Sequence, residues 1–150
     1  MSQFPWKKRV IISLITLVPV VCLSTPAIDA SAALVEALRQ AAPRTNDPTL
    51  YTDWKMQEGA ITRWTRRCVG VQVSPMELAE DPVMARNTVA CVMGPVLAEQ
   101  MRLAAGDEAL AVRRTAAWWM TGDPAQYQAP GIAAYLDRVL SHYWALQPEH

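Results

Sequence analysis

The stretch NTVACVMGPVLA, Asn87 to Ala98, decides the fold. It carries no charge over twelve residues, so it belongs in a core. A bilayer span needs about 20 apolar residues, so twelve predict a central helix covered on several sides. Cys91 offers a tether within it. Pro95 lacks the N–H that would bond the Cys91 carbonyl, and its ring crowds that turn, so a kink is expected there.

The punctuation around this stretch is helical. A capping residue precedes proline at Asp47-Pro48, Ser74-Pro75, Asp81-Pro82 and Asp123-Pro124. The first residue of each pair accepts from free N–H groups at a helix start, and proline there loses no bond. Gly70, Gly106 and Gly122 supply the matching stops.

These marks predict five helices: Ser31 to Ala42, Pro48 to Val69, Pro82 to about Ala105, Asp107 to Thr121, and Gly131 to Leu146. Pro43 to Asp47 reads as a linker, and Ser74 to Glu77 as a capping box opening one further turn or two. Trp54, Ile61, Trp64 and Cys68 fall on one stripe of the second helix. Ile132, Tyr135, Leu136, Val139, Leu140 and Tyr143 line the last. Apart from a weak candidate at Val69 to Val73, no segment alternates long enough for a strand. The fold expected is all-α, a compact bundle of about five helices.

The first 32 residues read as an export signal. Lys7, Lys8 and Arg9 precede an apolar run from Val10 to Leu23, and Ala30-Ser31-Ala32 fits a cleavage site, with Ala27 a second candidate. An uncleaved anchor is the alternative and would be the chain's only membrane contact. Cys22 follows Val21 where a lipoprotein would need a small residue. Cleavage after Ala32 leaves residues 33–150 as a single domain with 11 basic and 13 acidic residues, a net charge of 11 − 13 = −2. That balance gives no electrostatic case for nucleic acid as partner.

Cys68 and Cys91 then remain, and in an oxidising compartment such a pair is a disulfide. Closing this loop is worth about 3 kcal/mol. The pair shows no C-x-x-C redox or C-x-x-C-H haem motif, and no His beside it completes a metal site.

Catalytic chemistry is thinly supplied. His142 lies on the polar side of the last helix, and no G-x-S-x-G, H-E-x-x-H or phosphate-loop pattern occurs. Nothing calls for a cofactor. Glu77, Glu80 and Asp81 are close in sequence, and two converging carboxylates could hydrolyse a glycoside, but Asp81 is already accounted for as a helix cap.

Arginines stand out instead. Arg63, Arg66 and Arg67 end the second helix, while Arg113 and Arg114 precede Trp118 and Trp119 in the fourth. Arg114 can stack on Trp118 one turn on, and adjacent tryptophans point about 100° apart, leaving one for the core and one for an edge. As a set, Arg63, Arg66, Arg67, Arg113, Arg114 and Trp118 could bind another protein or an anion. The alternative is that the arginines follow the helix dipole and the tryptophans lie in the core.

The segments Arg63-Trp64-Thr65-Arg66-Arg67-Cys68, Val89-Ala90-Cys91-Val92-Met93, and Ala111-Val112-Arg113-Arg114 to Ala117-Trp118-Trp119-Met120-Thr121-Gly122-Asp123-Pro124 resemble small exported proteins of cyanobacteria with no assigned activity. The resemblance spans most of the mature chain and implies no catalytic residue. It widens the compartment from periplasm to thylakoid lumen and suggests an accessory or assembly role. The sequence therefore points to an exported, non-catalytic protein that binds another extracytoplasmic protein, with a small-anion-binding module as alternative and a carboxylate hydrolase as the remotest reading.

Overall fold

Six of the 12 residues of α1, Ala30–Ala41, are buried, so this helix supplies a large share of the core. The structure, a computed structural model, describes residues 29–147; the apolar run of the expected export signal lies outside them. Asp29 caps α1, its carboxylate accepting from the Ser31 N–H. Ala33, Leu34, Val35, Ala37, Leu38 and Ala41 cover more than one side of the helix, which packs against α6 (Ala133–Ala145) and α4 (Pro82–Leu103).

Residues Asn87 to Ala98 fall in a central helix, as expected, since α4 packs against four of the other five α-helices among the described residues. They lie in the middle of α4, but only one side is covered: Ala85, Thr88, Val89, Val92, Met93, Leu97 and Gln100 are buried at helical spacing. Asn87, Cys91, Pro95 and Ala98 are exposed on the opposite side. Pro95 has no N–H for the Cys91 carbonyl, but it lies on the exposed side and α4 runs through it as one helix.

The predicted helix from Pro48 to Val69 is half correct. Its C-terminal part is α2, Glu58–Cys68, but the chain before it forms an antiparallel hairpin, β1 (Leu50–Tyr51) and β2 (Met56–Gln57), with Leu50 opposite Gln57 and Tyr51 opposite Met56. Asp47 caps a turn here, not a helix. Its carboxylate accepts from the Thr49 N–H at 2.9 Å and the Thr49 hydroxyl at 2.7 Å, a local bond that competes with helix initiation.

The other signals match their elements. Ser74 and Glu77 form a reciprocal capping box on α3, Pro75–Glu80, and Asp81 caps α4. Asp107 caps α5, Glu108–Thr121. Gly70, Gly106 and Gly122 all have left-handed φ, between 81° and 91°. Val69 to Val73 is not a strand: Thr65 accepts the Val73 N–H on its hydroxyl, folding the segment back onto α2. The last helix is shorter than expected, with two 3-10 turns, Pro124–Gln128 and Pro130–Ile132, preceding α6.

The described residues thus hold six α-helices and one short hairpin, where about five helices and no strand were expected. Cys68, at the end of α2, and Cys91, on the exposed side of α4, form the expected disulfide, with Cα atoms 6.1 Å apart. Buried residues from the helices and the hairpin join in one core. Among the described residues no helix is long and apolar enough to cross a membrane.

Candidate functional site

Of the six residues singled out by sequence, Arg63 and Trp118 line a common cleft. Arg63, Arg66 and Arg67 stand on the exposed face of α2, where Arg66 donates to the Gln72 side-chain oxygen at 2.7 Å. Arg113 is ion-paired with Asp137 across the α5–α6 contact. Arg114 lies 5.1 Å from the centre of the Tyr127 ring, so its aromatic partner is Tyr127, not Trp118. Neither Trp118 nor Trp119 is a core residue. Both are half-buried and flank Trp64, with ring centres 6.5 Å and 5.4 Å away.

What the fold does bring together is Arg63 with Trp118, along one open cleft of about 700 Å³. One wall is the end of α5, Trp118 to Gly122; another is α2, with Ala60, Arg63 and Trp64. The hairpin closes the side, contributing Leu50, Trp54, Lys55, Met56 and Gln57, and Tyr135 of α6 adds its ring. Four of the chain's six tryptophans contribute to this lining.

The hairpin turn sets the polar edge of the cleft. Trp54 is buried and donates its indole N–H to the Val35 carbonyl at 2.8 Å, which bolts the turn to α1. Thr52 and Lys55, on either side of it, have φ of 62° and 56°, a backbone region unfavourable for residues with a Cβ. The turn persists because Trp54 anchors it, and it brings Lys55 to the cleft.

Charge in the cleft is one-sided. Its charged residues are Lys55 and Arg63, with no carboxylate in the lining. Neither cation is ion-paired among the described residues. Past Ala42, Pro43 and Lys55 the cleft continues into a shallower trough containing Arg39, Arg44, Thr45, Asn46 and Asp53. Arg39 is committed there, bound to Glu36 and 3.7 Å from Asp53.

Behind the turn, Glu36 on α1 binds Arg39, Gln40 and Arg86, and Arg86 also lies 5.7 Å from the Trp54 ring centre. Hydrogen bonding from Arg39, with help from Gln40 and Arg86, outweighs burial and holds the Glu36 carboxyl at about 2. Tyr135 has the opposite environment: its hydroxyl is buried with no partner, and burial pushes it far above the usual phenol range.

The acids raised as hydrolase candidates serve helix starts. Glu77 accepts the Ser74 N–H at 2.9 Å and Asp81 the Met84 N–H at 2.9 Å, while Glu80 is exposed. His142 is half-buried, less open than its place on the polar side suggested.

Fold and site together define a disulfide-stapled, mostly helical protein with an open aromatic cleft edged by cations. No family model, curated protein or solved structure matches the chain. Sequence reading missed Lys55 as a site residue because the hairpin that presents it was read as helix. It placed Trp54 and Trp64 on one buried stripe; Trp54 is buried as expected, while Trp64 is half-buried in the cleft wall. The local signal for the hairpin was Thr49-Leu50-Tyr51-Thr52 behind Asp47, a β-branched and aromatic run after a turn-forming acid.

Proposed function

We propose that this is an exported, non-catalytic binding protein whose working surface is the tryptophan cleft, and that its partner is another extracytoplasmic protein of the periplasm, or of the thylakoid lumen in a cyanobacterium. The observation that carries this reading is the gathering of partly open Trp64, Trp118 and Trp119 beside the unpaired Arg63. Half-buried tryptophan and arginine are the residue types that most often anchor protein interfaces. Arg113 and Arg114 drop out of the contact, since Asp137 and Tyr127 already hold them.

Affinity recovery from the native compartment tests it. Arg63→Glu reverses an exposed, unpaired charge and should preserve the fold, whereas Arg66→Glu/Arg67→Glu changes the same helix outside the cleft lining. Loss of a specific partner with the first variant and retention with the second is the expected result. Equal recovery by a folded Arg63→Glu protein rejects the cleft as the contact. The cleft volume also falls in the range of small-molecule sites. A small anion there is the second reading, and it requires carboxylate or phosphate ligands to raise Tm at constant ionic strength.

A further inference from the structure

Resting on the cleft as the binding surface, we infer that its occupant is an extended acidic segment of the partner, with an apolar side chain, best aromatic, flanked by carboxylates. Charge supplies the first reason. Lys55 and Arg63 edge the cleft with no carboxylate among its lining residues, on a chain whose residues 33–150 sum to −2. A basic segment would bury its cations against these two without compensation, whereas an acidic one is complemented.

Shape supplies the second. Trp64 with Trp118 and Trp119 offers faces for one flat apolar group. The cleft then runs past Ala42, Pro43 and Lys55 into the trough of Arg44 and Asn46, so a chain can lie along it where a flat protein surface could not enter. Arg44 has no ion-pair partner among the described residues and adds a cation to the trough, whose one carboxylate, Asp53, lies 3.7 Å from Arg39.

Lys55 makes the test specific. It is the only lysine after Lys8, so a carbodiimide, which joins an amine to a carboxylate by a zero-length amide with loss of water, has one lysine to find in the exported chain. The exported protein is mixed with three short peptides: phenylalanine flanked by glutamates, phenylalanine flanked by lysines, and alanine flanked by glutamates. Binding is read from tryptophan emission, and coupling is mapped by mass spectrometry.

The acidic aromatic peptide should bind about tenfold more tightly than either control and couple at Lys55. Arg63→Glu should weaken it at least tenfold. Lys55→Gly, which the left-handed backbone favours and so preserves the turn, should abolish the coupling. Binding that ignores peptide charge, or coupling at the N-terminal amine with none at Lys55, overturns the inference. So does displacement of the peptide by an equal concentration of decanoate, which would make the cleft a small-amphiphile site. Concentration-dependent dimerisation that blocks peptide binding would overturn it in favour of a second copy. If Arg63→Glu loses the native partner while the peptides bind regardless of charge, the acidic segment is rejected and the cleft stands; if it keeps the partner, the cleft itself is rejected.

Discussion

Tyr135 and Tyr143, two turns apart on α6, show how much one hydroxyl depends on its surroundings. Both are buried, but Tyr143 donates to Glu108 while the Tyr135 hydroxyl has no partner. A buried polar group left unpaired costs about 1–3 kcal/mol, so removing it should stabilise or leave the fold unchanged. Tyr135→Phe is expected to raise the urea midpoint by the equivalent of about 1 kcal/mol with the m-value unchanged. The same change at Tyr143 strips Glu108 of its donor and should lower stability by about 1–2 kcal/mol. A midpoint that falls equally in both variants would contradict this contrast. Sequence placed both tyrosines correctly on the buried stripe. Their different bonding depends on what lies opposite each ring, which spacing along one helix does not contain.

At the scale of elements, α1 changes how the N-terminus is read. A cut after Ala32 would remove the Asp29 cap and the first turn of the helix, leaving buried Ala33 as a charged N-terminus. Loss of a cap alone costs about 1 kcal/mol, and a buried ammonium costs more. On the proposed export, we therefore expect processing after Ala27 and a chain that begins at Ile28, which intact mass or N-terminal sequencing will show. A chain beginning at Ala33 with undiminished stability would refute it. Helix ends were legible wherever the cue was local, as at Ser74, Asp81, Asp107 and the three glycines. The hairpin was not, because Asp47 makes the same kind of side-chain bond at a turn as it would at a helix start.

For the whole molecule, Glu36 is the electrostatic tie. Through Arg86 it links α1 to α4, and Arg86 reaches the Trp54 ring of the hairpin turn. Its folded carboxyl titrates near 2 against an ordinary 4.5. The folded form thus binds its proton less readily, so the stabilisation is complete above about pH 4.5 and fades as pH falls towards 2. After screening at a partly open site it is worth about 2 kcal/mol. Glu36→Gln should unfold at lower urea than wild type at pH 6, and the two should converge near pH 2. A gap independent of pH would point to packing as the cause. The disulfide adds a separate clamp of about 3 kcal/mol between α2 and α4.

By itself the sequence determined the helical class, most helix ends and the cysteine pair, because caps, left-handed glycines and apolar spacing act over one or two turns. It also marked α2 and α5 as the helices carrying arginine and tryptophan. Only the tertiary structure decided how far each apolar helix is covered: α4 meets four other helices and still leaves Asn87, Cys91, Pro95 and Ala98 exposed. Which faces are covered depends on which helices pack against them, and apolar spacing along one helix does not contain that. The cleft belongs to the same class of fact. Trp64 meets Trp118 and Trp119 across more than 50 residues of chain, and Lys55 joins them through a turn that Trp54 fastens to Val35. Those contacts are long-range, so no local pattern encodes them.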